Sequence, residues 1–174
     1  MKKLQIFILG LIIFSCSSTR VNYDFEKTTD FTLYKTYNYY VDMQTSLNQL
    51  DTKRLVNAID NQLNSKGITL SDNPDFLINI KSSEYQEAPS SSVGVGLGGG
   101  GGNVGGGVSI GFPVGSSTFN RQIIIDFVDE NKNGLFWQAI SESSFNPDLS
   151  PETKEEKLNE IATKIFSEYP PSKN

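Results

Sequence analysis

The sequence contains no histidine and only one cysteine, Cys16. A single cysteine cannot form a disulfide within the chain, and without histidine it lacks the usual base of a catalytic thiol. An enzyme built from this chain would need a carboxylate pair such as Asp126 with Asp129, or a serine with a lysine base. Asp126 and Asp129 are three residues apart in a predicted strand, so they point to opposite faces and cannot share a proton. We therefore expect a protein that is not an enzyme and needs no cofactor.

Positive charge is also scarce. Acidic residues outnumber basic residues by 20 to 15, and no stretch of the sequence concentrates lysine or arginine. Proteins that bind nucleic acid neutralise phosphates with such clusters, so this composition argues against nucleic-acid binding. The sequence also lacks an apolar run of about 20 residues, the length that a transmembrane helix needs.

The first fifteen residues instead have the layout of a secretory signal peptide. Lys2 and Lys3 form a basic start, residues 6–14 form a short apolar stretch, and the small residue Ser15 precedes Cys16. An apolar stretch of this length is typical of a cleaved signal peptide and is too short for a retained membrane anchor. We therefore predict that residues 1–15 are a signal peptide.

The segment Ile13-Phe14-Ser15-Cys16 resembles the bacterial lipobox, the lipidation and cleavage motif of envelope lipoproteins. The resemblance implies that the Cys16 thiol receives a diacylglyceryl group, that cleavage makes Cys16 the first residue, and that its amine usually gains a third acyl chain. Two or more acyl chains hold a protein on a membrane almost without release. Ser17 stands where enteric lipoproteins retained in the inner membrane have aspartate. We therefore expect a lipid-anchored envelope protein, on the outer membrane and facing the periplasm.

Apolar periodicity predicts a single α+β domain over residues 23–169, between a tether of residues 16–22 and a tail of residues 170–174. Alternating apolar residues predict strands, which lie near residues 21–25, 36–41, 76–85, 122–129 and 135–143.

Helical spacing predicts two helices, over residues 51–66 and from Pro151 onward. Asp51 and Ser150 are the predicted N-caps, and Gly67 is the predicted left-handed cap at the end of the first helix. The order is roughly β-α-β-β-β-α, with a glycine-rich insert between strands. It predicts an antiparallel sheet with two helices packed on one face.

The insert, residues 93–116, holds most of the glycine in the chain. Its G-x-G-x-x-G match at residues 94–99 is expected by chance in so rich a tract, and no helix follows to bind a phosphate. The first interpretation is a flexible loop, because glycine is costly to order. The alternative is a β-excursion, because the alternation of glycine with apolar residues has a period of two. Such an excursion would present apolar side chains to a partner or to lipid, namely Val95, Leu97, Val108, Ile110 and Phe112.

Residues 129–134, DENKNG, match the first half of an EF-hand calcium loop. Ile140 occupies the twelfth position, where such a loop needs a bidentate glutamate. A hairpin turn at Asn133-Gly134 is therefore the better interpretation, and we predict no metal site. In the following strand Leu135 and Trp137 share the predicted inward face. Trp137 is interpreted as a core residue, with ligand stacking as the alternative.

Five segments occur in the order that is characteristic of one protein family. They are VNYDFEKTTDFTLYKTYNYY, the helix ending QLNSKGI, NPDFLINI, IIIDFVDENKNGLFWQAIS and the closing helix that runs into Tyr169-Pro170-Pro171. In this order they resemble domain of unknown function 4136 (DUF4136), a lipoprotein family common in Gram-negative bacteria and especially in Bacteroidetes, which often carries a glycine-rich insert at the same place. The family has no assigned activity, so the resemblance implies no catalytic or ligand-binding residue.

The sequence therefore predicts a membrane-anchored envelope lipoprotein that acts as a structural or interaction module, with an envelope protein as its partner. The alternative is an accessory module that binds a small ligand, a peptide or an envelope polymer through its aromatic face or its insert. No sequence feature indicates an oligomeric state.

Overall fold

The computed structural model describes residues 19–87, 92–95, 110–113, 118–132 and 134–172. In chain order the elements, besides a 3-10 turn at Phe31–Leu33, are β1 (Arg20–Phe25), β2 (Thr36–Tyr39), α1 (Gln49–Ser65), β3 (Thr69–Leu70), β4 (Phe76–Glu87), β5 (Ser92–Val95), β6 (Ile110–Pro113), β7 (Thr118–Asp129), β8 (Gly134–Ser144) and α2 (Pro151–Phe166). Among the described residues six strands form one sheet in the order β1-β8-β7-β4-β2-β3, and β5 pairs with β6 in a separate two-stranded sheet. No helix in the described part of the chain is long and apolar enough to cross a bilayer.

The predicted α+β class is confirmed, but the sheet is mixed. Strands β1, β8, β7 and β4 are antiparallel neighbours, as predicted. Strand β2 pairs in parallel with both β3 and β4, which the prediction of an antiparallel sheet missed. Along the chain, α1 lies between β2 and the two strands that pair with β2, namely β3 and β4. Such a crossover returns the chain to the sheet in the same direction, which a parallel pair requires.

The two ends of the sheet differ in which chain segments leave the strands there. The insert end comprises the start of β1, the end of β4, the start of β7 and the end of β8. The turn end comprises the end of β1, the start of β4 and the β7–β8 hairpin. Both the segment before β1 and the segment between β4 and β7 therefore leave the sheet at the insert end.

Helix α1 begins at an asparagine cap and not at the predicted Asp51. Asn48 is the N-cap, and its side chain accepts a hydrogen bond from the amide of Asp51 at 2.9 Å. Asp51 lies in the first turn, where a carboxylate complements the partial positive charge of the helix N-terminus. At the other end Gly67 has a φ of 75°, in the left-handed region, so the predicted C-terminal cap is confirmed.

Helix α2 begins where predicted. Ser150 is its N-cap and accepts a hydrogen bond from the amide of Thr153 at 3.3 Å, and Pro151 occupies the first turn. The two helices share one core with the inward faces of β4, β7 and β8. Its members include Leu55, Ile59, Leu63, Ile78, Ile80, Ile125, Phe127, Leu158, Ile161 and Ile165.

A bulge changes which residues of β8 face the core. The pairing of β7 with β8 shifts register between Phe127 and Val128. As a result Phe136 and Trp137 are each 1% exposed, although they are adjacent in the chain, and Leu135 is 50% exposed. The prediction that Leu135 faces inward was wrong, because strict alternation fails across a bulge.

Two predicted boundaries also need correction. Residues 20–22, predicted to belong to the tether, pair with β8 as part of β1, so the folded domain begins before residue 23. The insert, predicted as residues 93–116 and first interpreted as a loop, contains the paired strands β5 and β6. A loop interpretation therefore describes the insert incompletely, because a period of two in a glycine-rich segment can still support strand pairing.

Candidate functional site

The predicted lipidation site, Cys16, lies outside the described residues, but the strand that follows it is fixed to α2. The hydroxyl of Tyr23 in β1 donates a hydrogen bond to the carbonyl of Lys164 at 2.6 Å. The Nζ of Lys164 donates in turn to the carbonyl of Thr19 at 3.2 Å. The start of β1 is therefore held against the last turn of α2.

Strands β5 and β6 form an antiparallel ribbon within the insert. The register places Val93 opposite Phe112 and Val95 opposite Ile110, with a pair of glycines between them. Positions two apart on a strand share a face, so these four positions fall on one face of the ribbon. Of the residues predicted to meet a partner, the ribbon contains Val95, Ile110 and Phe112, whereas Leu97 and Val108 lie outside the described residues.

A groove, named the β1 groove, runs beside the edge strand β1. It has a volume of about 400 Å³, and its lining includes Tyr23, Phe25, Trp137, Pro170 and Pro171. Phe25 is 37% exposed and Trp137 only 1% exposed, so a ligand in the groove could reach Phe25 but not Trp137. The lining also includes Ser167, Glu168 and Ser172, so the surface is mixed in polarity. A concave surface of this volume is large enough for a small molecule or a short peptide.

At the insert end of the sheet, Arg121 is buried beside the starts of both helices. Its Nη2 lies 2.7 Å from a carboxylate oxygen of Glu84, and its Nη1 lies 3.7 Å from Asp51. The guanidinium also stacks 3.7 Å from the ring centre of Phe145. The adjoining cleft leaves about 30 Å³ for water-sized molecules, which is room for very few waters. The network therefore joins β7 to α1.

The two hairpin aspartates have separate structural partners. Asp129 accepts a hydrogen bond from the Tyr34 hydroxyl at 2.9 Å and another from the Asn131 amide at 3.0 Å. Burial, and then this hydrogen bond, raise the pKa of Tyr34 to about 12. Asp129 pairs with Gly134, which has a φ of 69°, so the predicted hairpin between β7 and β8 is confirmed, while Asn133 lies outside the described residues. Among the described residues no group of three or more acidic, histidine or cysteine side chains could hold a metal ion.

Asp126 faces away from Asp129, as the spacing predicts. Its carboxylate accepts hydrogen bonds from Gln138 at 2.7 Å and from Lys81 at 3.2 Å, across the neighbouring strands β8 and β4. Asp126 is 6% exposed, and these contacts satisfy its charge on the sheet face opposite the helices. The two aspartates therefore do not form a catalytic pair.

The aromatic residues near the N-terminus serve the core. The hydroxyls of Tyr37 and Tyr39 both donate to one oxygen of Asp60 in α1, at 2.6 and 2.7 Å. Burial, and then the hydrogen bond to Asp60, raise the pKa of both tyrosines. Trp137 packs against Phe127 with ring centres 4.6 Å apart. The interpretation of Trp137 as a core residue is confirmed.

Sequence reasoning missed Arg121 and the β1 groove. Arg121 stands two residues before Ile123 and therefore at an inward position of β7. A charged residue in that register is the sequence feature that could have indicated a buried ion pair. The groove combines β1 with residues 170–171, which are far apart in the chain. No local pattern reveals a surface of that kind.

Comparison with known proteins places the chain in one family and one fold. Residues 21–171 match the family described as "Domain of unknown function (DUF4136)". No curated protein matches the chain. A PDZ domain protein from Parabacteroides distasonis is similar in structure, with a TM-score of 0.58 and 16% identity over 91% of this chain. The chain spans 37% of the length of that protein, and the similarity shows the fold alone.

Two structures of the PelC dodecamer from Paraburkholderia phytofirmans are more distantly similar. The first has a TM-score of 0.48 and 10% identity, covering 86% of this chain and 96% of that chain. The second, a point variant of the same dodecamer, has a TM-score of 0.44 and 7% identity, covering 85% of this chain and 97% of that chain.

Proposed function

The chain belongs to the DUF4136 family, a family of unknown function, and we propose that it is a lipid-anchored envelope protein that acts as a structural or interaction module. Residues 1–15 serve as its signal peptide, and Cys16 carries the acyl chains. The observation that carries the proposal is the start of β1 at Arg20, four residues after a cysteine in a lipobox-like segment. A domain attached so closely remains beside the outer membrane, where it faces the periplasm.

The contacts of the acidic residues support an interaction role over catalysis. Asp126 is engaged by Gln138 and Lys81, and Asp129 is engaged by Tyr34. A general acid or base needs a free position beside a substrate, and these carboxylates already stabilise the fold. The ribbon of β5 and β6, in contrast, gathers apolar positions on one face, which suits contact with a partner.

Crosslinking in intact cells tests the proposal. Wild-type protein should fractionate with the outer membrane and capture a reproducible set of envelope proteins. Deletion of residues 93–116 should keep the membrane location and lose those partners. The matched control, Cys16→Ser, should carry no acyl chains by intact mass while the domain remains folded. Wild-type protein without acyl chains, or an unchanged partner set after the deletion, would contradict the proposal.

Binding of a small ligand, a peptide or a fragment of an envelope polymer is a second candidate, favoured by the β1 groove. Trp137 is the single tryptophan of the chain and lines this groove, so its fluorescence reports binding there. Addition of a small ligand, a peptide or a polymer fragment that binds should shift the Trp137 emission in the wild type and in the control Leu33→Ser. The emission of Phe25→Ser should not shift. An equal response of the two variants would remove the groove as the site. Leu33 suits the control because it is 58% exposed and does not line the groove.

A further inference from the structure

We propose that the cleft beside Arg121, named the Arg121 cleft, binds the carboxylate of a ligand whose adjoining carbon atoms are apolar. Its polar lining includes Arg121 from β7, Ser143 and Ser144 from β8, and Lys154 and Lys157 from α2. The lining shares no residue with the β1 groove, so this site goes beyond the proposed function.

Arg121 has hydrogen-bond donors that its buried network does not use. Its Nε and Nη2 both donate to one oxygen of Glu84, at 3.2 and 2.7 Å, and Glu84 does not line the cleft. Its Nη1 lies toward Asp51, which does line the cleft, but 3.7 Å is too long for a hydrogen bond. No described residue accepts a hydrogen bond from Nη1, although the Arg121 side chain is only 8% exposed. The donors of Nη1 are therefore free for an acceptor that enters the cleft.

Asp51, the acidic residue in the described lining, already has its own partners. One of its carboxylate oxygens accepts a hydrogen bond from Arg54 at 2.8 Å, and the other accepts one from the Asn48 side chain at 2.9 Å. Arg54 therefore balances the charge of Asp51. The positive charge of the cleft is left for a ligand.

Ser143 and the two lysines add further donors. Ser143 pairs with Arg121 across β8 and β7, is 7% exposed, and has no described hydrogen-bond partner for its hydroxyl. The Nζ of Lys157 donates to the hydroxyl of Ser144 at 3.1 Å. Neither Lys154 nor Lys157 forms an ion pair with a described carboxylate. The cleft therefore combines an excess of positive charge with unused donors, an arrangement that favours an anion.

The size of the cleft favours a carboxylate over a larger anion. The cleft leaves about 30 Å³ for water-sized molecules, which is room for about two of them. A carboxylate has two oxygen atoms, which the planar guanidinium of arginine is suited to bind. A phosphate has four oxygen atoms and therefore fits less well.

The rest of the lining favours an aliphatic group next to the carboxylate. Leu149, Leu158 and Ile161 line the cleft beside the charged groups. Leu158 and Ile161 are buried, and Leu149 is half-buried, so an apolar surface continues from the interior toward solvent. Methylene groups that extend from a bound carboxylate lose contact with water on this surface, which stabilises the complex. A short aliphatic acid and the C-terminus of a peptide share this chemistry.

Titration with butanoate tests the site in the full chain. Full-length protein is purified in a nonionic detergent, and the backbone amide resonances of residues 143–146 are followed by NMR. Butanamide is the matched neutral probe, because it has the same aliphatic group and carries no charge. Butanoate should cause saturable shifts with a Kd on the order of 1 mM, as expected for so small a ligand. Butanamide should bind about tenfold more weakly or not at all.

Variants of the lining identify the groups that bind. Lys154→Met and Lys157→Met, combined in one protein, remove two cations and leave the contacts of Arg121 in place. This double variant should bind butanoate about tenfold more weakly. The control Lys53→Met, at an exposed position outside the lining, should bind within about twofold of wild type. Arg121→Met should lose the shifts in samples whose circular dichroism matches that of wild type.

Four results would overturn the carboxylate site: equal binding of butanoate and butanamide, wild-type affinity of the double lysine variant, tighter binding of inorganic phosphate than of butanoate, or no saturable shift. Titration with N-acetylleucine identifies the source of the carboxylate. Tighter binding of N-acetylleucine than of butanoate supports a peptide C-terminus, and the reverse order supports a free aliphatic acid. None of these results depends on acyl chains at Cys16 or on the insert, so the proposed function is tested separately.

Discussion

Replacement of Arg121 tests whether its buried network holds the sheet to α1. Arg121→Met keeps most of the aliphatic stem and removes the guanidinium. The change eliminates the contacts to Glu84 at 2.7 Å and to Asp51 at 3.7 Å, and the stacking on Phe145. Asp51 then remains buried, with a side chain only 3% exposed, whereas Glu84 is 44% exposed and can become hydrated.

The magnitude follows from what each partner retains. Removal of one member of a buried ion pair typically costs about 3–5 kcal/mol. Asp51 keeps Arg54 at 2.8 Å and the Asn48 side chain at 2.9 Å, so the loss should be smaller. We expect the free energy of unfolding to fall by about 2–3 kcal/mol, the contribution of a buried charged group that stays partly paired. The midpoint temperature should fall by about 4–12 °C for a domain of this size.

Urea unfolding followed by Trp137 fluorescence measures the change. The matched control is Lys53→Met, which removes a cation from an exposed position of α1 and should change stability by less than about 0.5 kcal/mol. The double variant with Asp51→Asn should recover part of the loss, because no charge is then left buried beside the missing guanidinium. A loss for Arg121→Met no greater than that for Lys53→Met would refute the reasoning, as would strictly additive effects of the two substitutions.

Three further changes test single contacts. Tyr34→Phe should lower the free energy of unfolding, measured by urea unfolding, by about 1–3 kcal/mol, because the buried Asp129 loses a hydrogen-bond donor. An unchanged free energy of unfolding would contradict that contact. Burial opposes ionisation of Asp75, but amide hydrogen bonds from residues 35–36 hold its pKa below the usual value. Its stabilisation should be present above about pH 4 and disappear as pH falls through the folded-state pKa, so the difference between wild type and Asp75→Asn should shrink in acid. A constant difference would contradict this. Gly134→Ala should lower the free energy of unfolding by about 1–2 kcal/mol because of the backbone strain at a φ of 69°. An added Cβ meets nothing within 4 Å, so no steric clash contributes. An unchanged midpoint in a thermal melt would refute the strain.

The two helices were predictable because their signals are local. The apolar residues from Leu55 to Leu63, and the Ser150 cap of α2, depend only on residues within a few turns. The N-cap of α1 was misplaced because Asn48 and Asp51 can both cap a helix. In the structure Asn48 is the N-cap, and the backbone amide of Asp51 in the first turn donates to the Asn48 side chain.

Features that depend on a partner strand were not predictable in the same way. The parallel pairing of β2 depends on where the chain returns after α1, and the inward position of Phe136 depends on a register shift against β7. Pairing within the insert was foreseen only as an alternative, because its glycines are compatible with a loop as well as a strand. Neither the Arg121 network nor the β1 groove could be identified, since each joins segments distant in sequence.

Intact mass of the full-length product, extracted with detergent from the membranes of producing cells, tests the central claim most directly. The account predicts a chain that begins at Cys16 and carries the added mass of a diacylglyceryl group, with or without a third acyl chain. A chain that still includes residues 1–15, with an unmodified thiol at Cys16, would contradict it.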